Sequence, residues 1–208
     1  MLKCKLCKNT NLIKERRTMK RFFLLVLACV SFSFGEQVYS DKVLSLYFDK
    51  NDAKPVGRLL PTNAFEVLKT EGDKVLLKIS GFVNPAAPSV LYYNDSQRVM
   101  VAAFGKNTPP KLLNLTKGQG GKWDKASIEV WAEKGEFVAN TDEMFVRAKT
   151  IYMENCGICH TAHKEGEFGA NQWQATFNAM LSRTGIAKED SWLIIEYLQK
   201  HSKDIQKP

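Results

Sequence analysis

Cysteine is scarce in this chain: of five cysteines in 208 residues, Cys4, Cys7 and Cys29 fall near the N-terminus, leaving only Cys156 and Cys159. Two cysteines are too few for a framework of structural disulfides. Neither Cys4-Lys5-Leu6-Cys7 nor the later pair has the second cysteine pair or paired-histidine motif that a structural zinc site needs. The apolar run Phe22 to Phe34 falls short of the ~20 residues of a membrane-spanning helix. A quarter of the residues are charged, so the chain is not an integral membrane protein throughout. Internal repeats and low-complexity tracts are also missing.

Excess positive charge is lacking outside the N-terminus. The formal net charge is +8, but Lys3, Lys5, Lys8, Lys14, Arg16, Arg17, Lys20 and Arg21 stand against Glu15 alone in the first 35 residues. The remainder is close to neutral, which argues against a nucleic-acid partner. Residues 1–35 have the layout of a secretory leader: Lys20 and Arg21, then the apolar run, then Ser33-Phe34-Gly35 as a small-x-small cleavage pattern. Cleavage is expected after Gly35, and an uncleaved leader would tether the protein to the membrane. Met19 starts a conventional signal by itself, so residues 1–18 read as an upstream start. A lipoprotein site at Cys29 is poorly served by Val26-Leu27-Ala28.

From Val38 to Val138 the pattern is short and alternating. Phe65 and Val67, the turn Glu71-Gly72-Asp73, then Val75, Leu77 and Ile79 predict a hairpin with one buried face. Further strands are expected at Val90 to Tyr93, Arg98 to Phe104 and Ser127 to Ala132, between turns at Pro85, Pro88, Pro109-Pro110 and Gly118-Gln119-Gly120-Gly121. After Asn140 the period becomes helical. Thr141 or Asp142 caps a helix to about Asn155 with Phe145, Ala148, Ile151 and Tyr152 on its face. A second helix is expected over Gln172 to Leu181. A third starts near Lys188 with Trp192, Ile195 and Leu198 on one face, Lys200 and Lys203 suiting its C-terminal dipole end. The expected fold is α+β: a small SH3-like β-barrel over 36–140, followed by an all-α domain over 141–208. A unit as small as the latter needs a buried cofactor to complete its core.

Cys156-Gly157-Ile158-Cys159-His160 is the C-x-x-C-H pattern of haem attachment, and with it the all-α region 141–208 is expected to be a cytochrome c-type haem domain. Two thiols add to the porphyrin vinyl groups, the two-residue spacer brings both sulfurs to one edge, and the histidine follows where it can ligate iron. A redox dithiol needs only C-x-x-C in a βαβ setting, which this sequence does not offer. Tyr152, one turn before Cys156, is placed to meet Trp192 or Tyr197.

For the second axial position the candidates are His163, Met180 and His201. His163 lies three residues beyond His160, on the same side of the ring. Met180 follows a spacer long enough to wrap around a haem, and thioether is the usual partner of histidine in electron-transfer cytochromes. His201 and an open iron site remain the alternatives.

Cys156 to His160 with Thr161-Ala162-His163, Phe168-Gly169-Ala170-Asn171-Gln172-Trp173, Met180, and Tyr197-Leu198-Gln199-Lys200-His201 together resemble the C-terminal monohaem domain of the pentahaem c-type cytochromes of trimethylamine N-oxide (TMAO) respiration. Gly57-Arg58-Leu59-Leu60-Pro61, the hairpin to Ser80-Gly81, and Trp123 with Trp131 extend the resemblance upstream. The resemblance implies one covalent haem c on Cys156 and Cys159, iron held by His160 and Met180, and a periplasmic electron carrier rather than an enzyme. It implies as acceptor a periplasmic molybdopterin reductase of N-oxides or S-oxides. The tetrahaem portion that takes electrons from quinol has no counterpart in this sequence, so a separate upstream cytochrome or quinol-oxidising donor is expected. The competing readings are a general periplasmic cytochrome c serving an oxidase or peroxidase, and a haem-based sensor or interaction module.

Overall fold

The computed structural model describes residues 35–205; the expectations for residues 1–34, including Cys4, Cys7, Cys29 and the leader, lie outside the described residues. Nine strands occur among these: β1 (Gln37–Val38), β2 (Leu44–Tyr47), β3 (Gly57–Leu59), β4 (Phe65–Glu71), β5 (Lys74–Val83), β6 (Val90–Tyr92), β7 (Met100–Phe104), β8 (Leu113–Thr116) and β9 (Asp124–Glu133). The β4–β5 hairpin follows directly from the alternation. Val75, Leu77, Ile79 and Val83 are buried while Lys74, Lys78 and Ser80 point away. Gly72 takes φ +61° at the first turn position, where a type II′ hairpin turn needs glycine.

Strand β5 is the spine of the sheet. Its whole length pairs antiparallel with β9, from Lys74 opposite Glu133 to Val83 opposite Asp124. On its other edge it pairs first with β4 and then, at Phe82 and Val83, with β6. The pairings β5–β6–β7–β3–β2–β9–β5 close a six-stranded barrel, with β4 and β1 continuing from β5 and β8 from β9. Inside, Leu77 faces Val130 and Ile79 faces Ile128, all fully buried, with Leu46, Leu59, Phe65 and Leu91 filling the same core. Burying each such side chain contributes about 1.5–3 kcal/mol.

Three α-helices follow among the described residues: α1 (Asp142–Cys156), α2 (Ala170–Leu181) and α3 (Ser191–Lys200), the last entered through a 3-10 turn at Lys188–Asp190. Asp142 and Glu143 in the first turn of α1 complement its dipole. Its buried face is Met144, Ala148 and Tyr152, with Phe145 and Ile151 half-covered beside it. Helix α2 begins two residues earlier than the pattern suggests, because Gln172 accepts from the Gly169 N–H and Asp204 accepts from the Ala170 N–H at its exposed start.

The expected fold class requires correction. The molecule is mostly sheet, its barrel of six strands with three more attached exceeds a small SH3-like barrel, and three short helices do not make a separate all-α cytochrome c domain. The reason lies in α3, which is ten residues long and buried on nearly every side, including by the barrel. Tyr39 of the β-region packs into the helical core, and Val99 packs with Ala170 and Ile205.

Lys200 also departs from its expected place at a solvated helix end. Its ammonium is buried and donates to the Thr62 carbonyl at 2.8 Å, the Thr62 hydroxyl at 2.9 Å and Asn63 Oδ1 at 2.9 Å. It pairs with Glu196, one turn earlier on α3, at 3.3 Å. Asn63 Nδ2 donates to Glu196 Oε2 at 3.1 Å, while Glu196 Oε1 has no hydrogen-bond partner among the described residues. Thr62 holds φ +60°, a left-handed backbone that costs a β-branched residue about 1–3 kcal/mol.

Candidate functional site

Helix α1 ends on Cys156, and Gly157 makes the ending tight: its N–H donates to the Met153 carbonyl at 3.0 Å, and a Cβ there would sit 2.6 Å from that oxygen. The chain then turns back, fixed by the Tyr152 hydroxyl donating to the His163 carbonyl at 2.9 Å. Trp173 of α2 meets Tyr152 edge-on and donates its indole N–H to the Glu165 carbonyl at 2.9 Å, pinning the loop to the second helix. Tyr152 thus has Trp173 as its ring contact. Tyr197 packs instead with Phe145 and His201 in the same core, and Trp192 lies under the Arg58 guanidinium.

Between the end of α1 and the second half of α2 lies a cavity of about 310 Å³. Cys156, Cys159 and His160 line one side; Phe177, Met180 and Leu181 line the other, with Tyr152 and Ala162 between them. The four residues singled out by the sequence are therefore brought to one cavity. His160 donates from Nδ1 to the Thr161 carbonyl at 2.9 Å, which leaves Nε2 as the nitrogen available to a metal. Burial pushes the Cys156 thiol up from its ordinary value, and burial first, then the neighbouring Cys156, pushes Tyr152 up to about 12. Ile158, between the two cysteines in sequence, is 77% exposed, and Met180, which lines the cavity, is 39% exposed.

Two thiols, an imidazole with a free Nε2 and a thioether around apolar walls are the donor set of a covalently held haem. The residues present fit that group. His163 lines the same cavity beside His160, its Nδ1 bonded to Glu167 at 2.8 Å. His201 does not: it lines a different cavity with Phe145, Tyr93 and Lys200, and its Nδ1 donates to the Tyr197 carbonyl at 2.7 Å.

Glu165 escaped the sequence reading. Burial works against its charge, but the Tyr197 hydroxyl and Lys149 hold its carboxyl below the ordinary value. It ties α3 to the loop after His160, and a lone glutamate in a charged stretch gave no signal of this. The Thr62–Asn63–Glu196–Lys200 network was also missed. A signal existed, since Leu193, Ile194, Ile195, Tyr197 and Leu198 leave α3 almost no polar face.

Residues 32–137 match the family described as the TorC third cytochrome c domain, so the match spans the β-strands and ends before α1. Over 175 residues the chain is 29% identical to the cytochrome c-type protein TorC of Escherichia coli (strain K12), covering 82% of this chain and 45% of that protein. The cytochrome c-type protein TorY of Haemophilus influenzae is 22% identical over 179 residues, covering 84% and 48%. The chain spans about half the length of the curated relatives it matches. No solved structure matches.

Proposed function

This chain belongs to the TorC third cytochrome c domain family, and on that premise we propose that it is a periplasmic monohaem cytochrome c that passes electrons to a molybdopterin reductase of N-oxides or S-oxides in a TMAO reductase system. The observation that carries this reading is that Met180, from α2, lines the same apolar cavity as Cys156, Cys159 and His160.

When bound, the haem supplies a one-electron iron couple. The chain's own residues would do the rest. Cys156 and Cys159 Sγ would hold the group covalently, His160 would present Nε2 to the iron because Nδ1 is committed to Thr161, and Met180 Sδ, from α2, would be the second iron ligand. Tyr152, Phe177 and Leu181 would keep water from the cleft. The exposed Ile158, between the two cysteines in sequence, and Met153, whose carbonyl accepts from Gly157, would offer the small, partly apolar surface of a short-lived electron-transfer encounter. Residues 36–140 and 141–208 would work together, the first region supporting the second.

The test has two parts. Acid-acetone extraction of the denatured protein should leave its haem attached, and replacing Cys156 and Cys159 together by Ala should release it. Pre-reduced protein should then be reoxidised by a periplasmic N-oxide or S-oxide reductase only when substrate is added. Transfer to an oxidase or peroxidase alone would assign a general cytochrome c, and carbon monoxide binding to the ferrous protein would favour a sensor.

A further inference from the structure

Helix α3 packs on the β3–β4 corner and on both helices of the cleft, and α1 and α2 also touch the β-region directly through Arg147 with Asp41 and Ala170 with Val99. It packs along α1, which ends on Cys156, and along α2, which carries Met180; α1 and α2 meet each other mainly through Tyr152 and Trp173. How α1 and α2 sit on α3 therefore bears on the width of the cleft. What fixes α3 itself is the corner between β3 and β4. Thr62 offers Lys200 both its carbonyl and its hydroxyl, Asn63 accepts from Lys200 and donates to Glu196, and Thr62 is further held by its N–H donating to the Ser40 carbonyl at 2.9 Å.

Plain adhesion does not need such a joint. A buried ion pair exchanged for apolar side chains of similar volume commonly leaves stability unchanged or raised, whereas hydrogen-bonded charges select one register. Here the joint combines a fully buried carboxylate, a buried ammonium and a left-handed threonine. An apolar contact would let α3 slide or roll by a fraction of an ångström, and that error would pass to the separation of Cys156 and Met180.

We infer that Thr62, Asn63, Glu196 and Lys200 form a positioning clamp through which the barrel holds Met180 at ligand distance across the cleft. The inference rests on the reading of Met180 as an iron ligand. None of the four residues lines the Cys156–Met180 cavity, so they act through α3 and not by touching the bound group.

The test uses full-length holoprotein with Glu196→Leu and Lys200→Met combined, and separately Asn63→Ser, which keeps both charges and is the milder lesion. Ferric protein is titrated with imidazole, which competes for the Met180 position, and the long-wavelength sulfur-to-iron absorption band is recorded. The double variant should keep its covalent haem, lose band intensity and bind imidazole at least about tenfold more tightly than wild type, with Asn63→Ser in between. Arg147→Gln, which cuts exposed ion pairs to Asp41 and Asp190 at another joint, should leave imidazole affinity unchanged. If the double variant folds and resists imidazole like wild type, the clamp is overturned. Should the double variant fail to fold, an unchanged Asn63→Ser overturns it equally. A wild type without the band, binding imidazole freely, would instead overturn Met180 ligation itself and the clamp with it.

Discussion

In the barrel, Leu77 faces Val130 and Ile79 faces Ile128, so each buried side chain finds its partner in the same region. The helical segment is unlike this. It leaves a cleft open between α1 and α2, exposes Met180 and Ile158 beside it, and buries a charged pair against the barrel. The main barrel core is closed by side chains of the β-region itself, whereas the helical segment leaves space between its own helices. From outside it receives the polar contacts of Thr62 and Asn63 to α3.

The largest test of this contrast is inside the barrel. Leu77→Ala should cost about 2–5 kcal/mol in chemical denaturation, because a fully buried side chain leaves a cavity. The loss should be the same in the haem-bearing protein and in the Cys156→Ala, Cys159→Ala background. A loss seen only with haem attached would mean that the barrel is not self-sufficient.

A smaller effect should appear at the joint. Burial pushes the Glu196 carboxyl from its ordinary 4.5 up to about 7, with Lys200 and Asn63 pulling the other way, and the same burial pushes Lys200 down. A folded-state value above the unfolded one means that folding favours the protonated carboxyl. The associated stability is fully present below about 4.5 and is lost as pH rises through about 7. Wild type should therefore lose stability relative to Glu196→Gln across that window, measured as paired denaturation curves. A constant difference between the two would show that the carboxyl stays ionised throughout.

The smallest effect is expected at the surface. Arg147→Gln removes an ion pair to Asp41 that bridges the two regions and one to Asp190 within the helical segment, but all three side chains are partly or well exposed. The change should be about 0–1 kcal/mol and should shrink further in high salt. A larger loss would make this second joint an equal of the buried one.

The hairpin from Phe65 to Ile79 was legible because one buried face imposes a period of two over enough residues to be seen. Strands β1, β2, β3 and β8 were not, being two to four residues long, too short to display a period. A barrel was expected, but which strands close it was not legible: Leu46 pairs with Ala132, a contact that no local pattern encodes. This is why a small barrel was expected where a larger, mostly sheet molecule stands. In the site, chemistry was more legible than placement. The residue types of Cys156, Cys159, His160 and Met180 named the donors, while the separation of His201 from that cavity depends on how α3 packs. Lys200 was misread because a lysine in a last turn ordinarily meets water, and here the last turn meets Thr62.

The pairing of Leu46 with Ala132 also sets an order in time. A chain emerging N-terminus first cannot close its barrel until β9 has appeared, and such distant contacts form slowly. Helix α3 cannot seat until Lys200 has followed, so Cys156 and Cys159 emerge during an interval in which the barrel can close but the helix that will confine them has yet to arrive. Both thiols are reachable in that interval, before the cleft takes its final width.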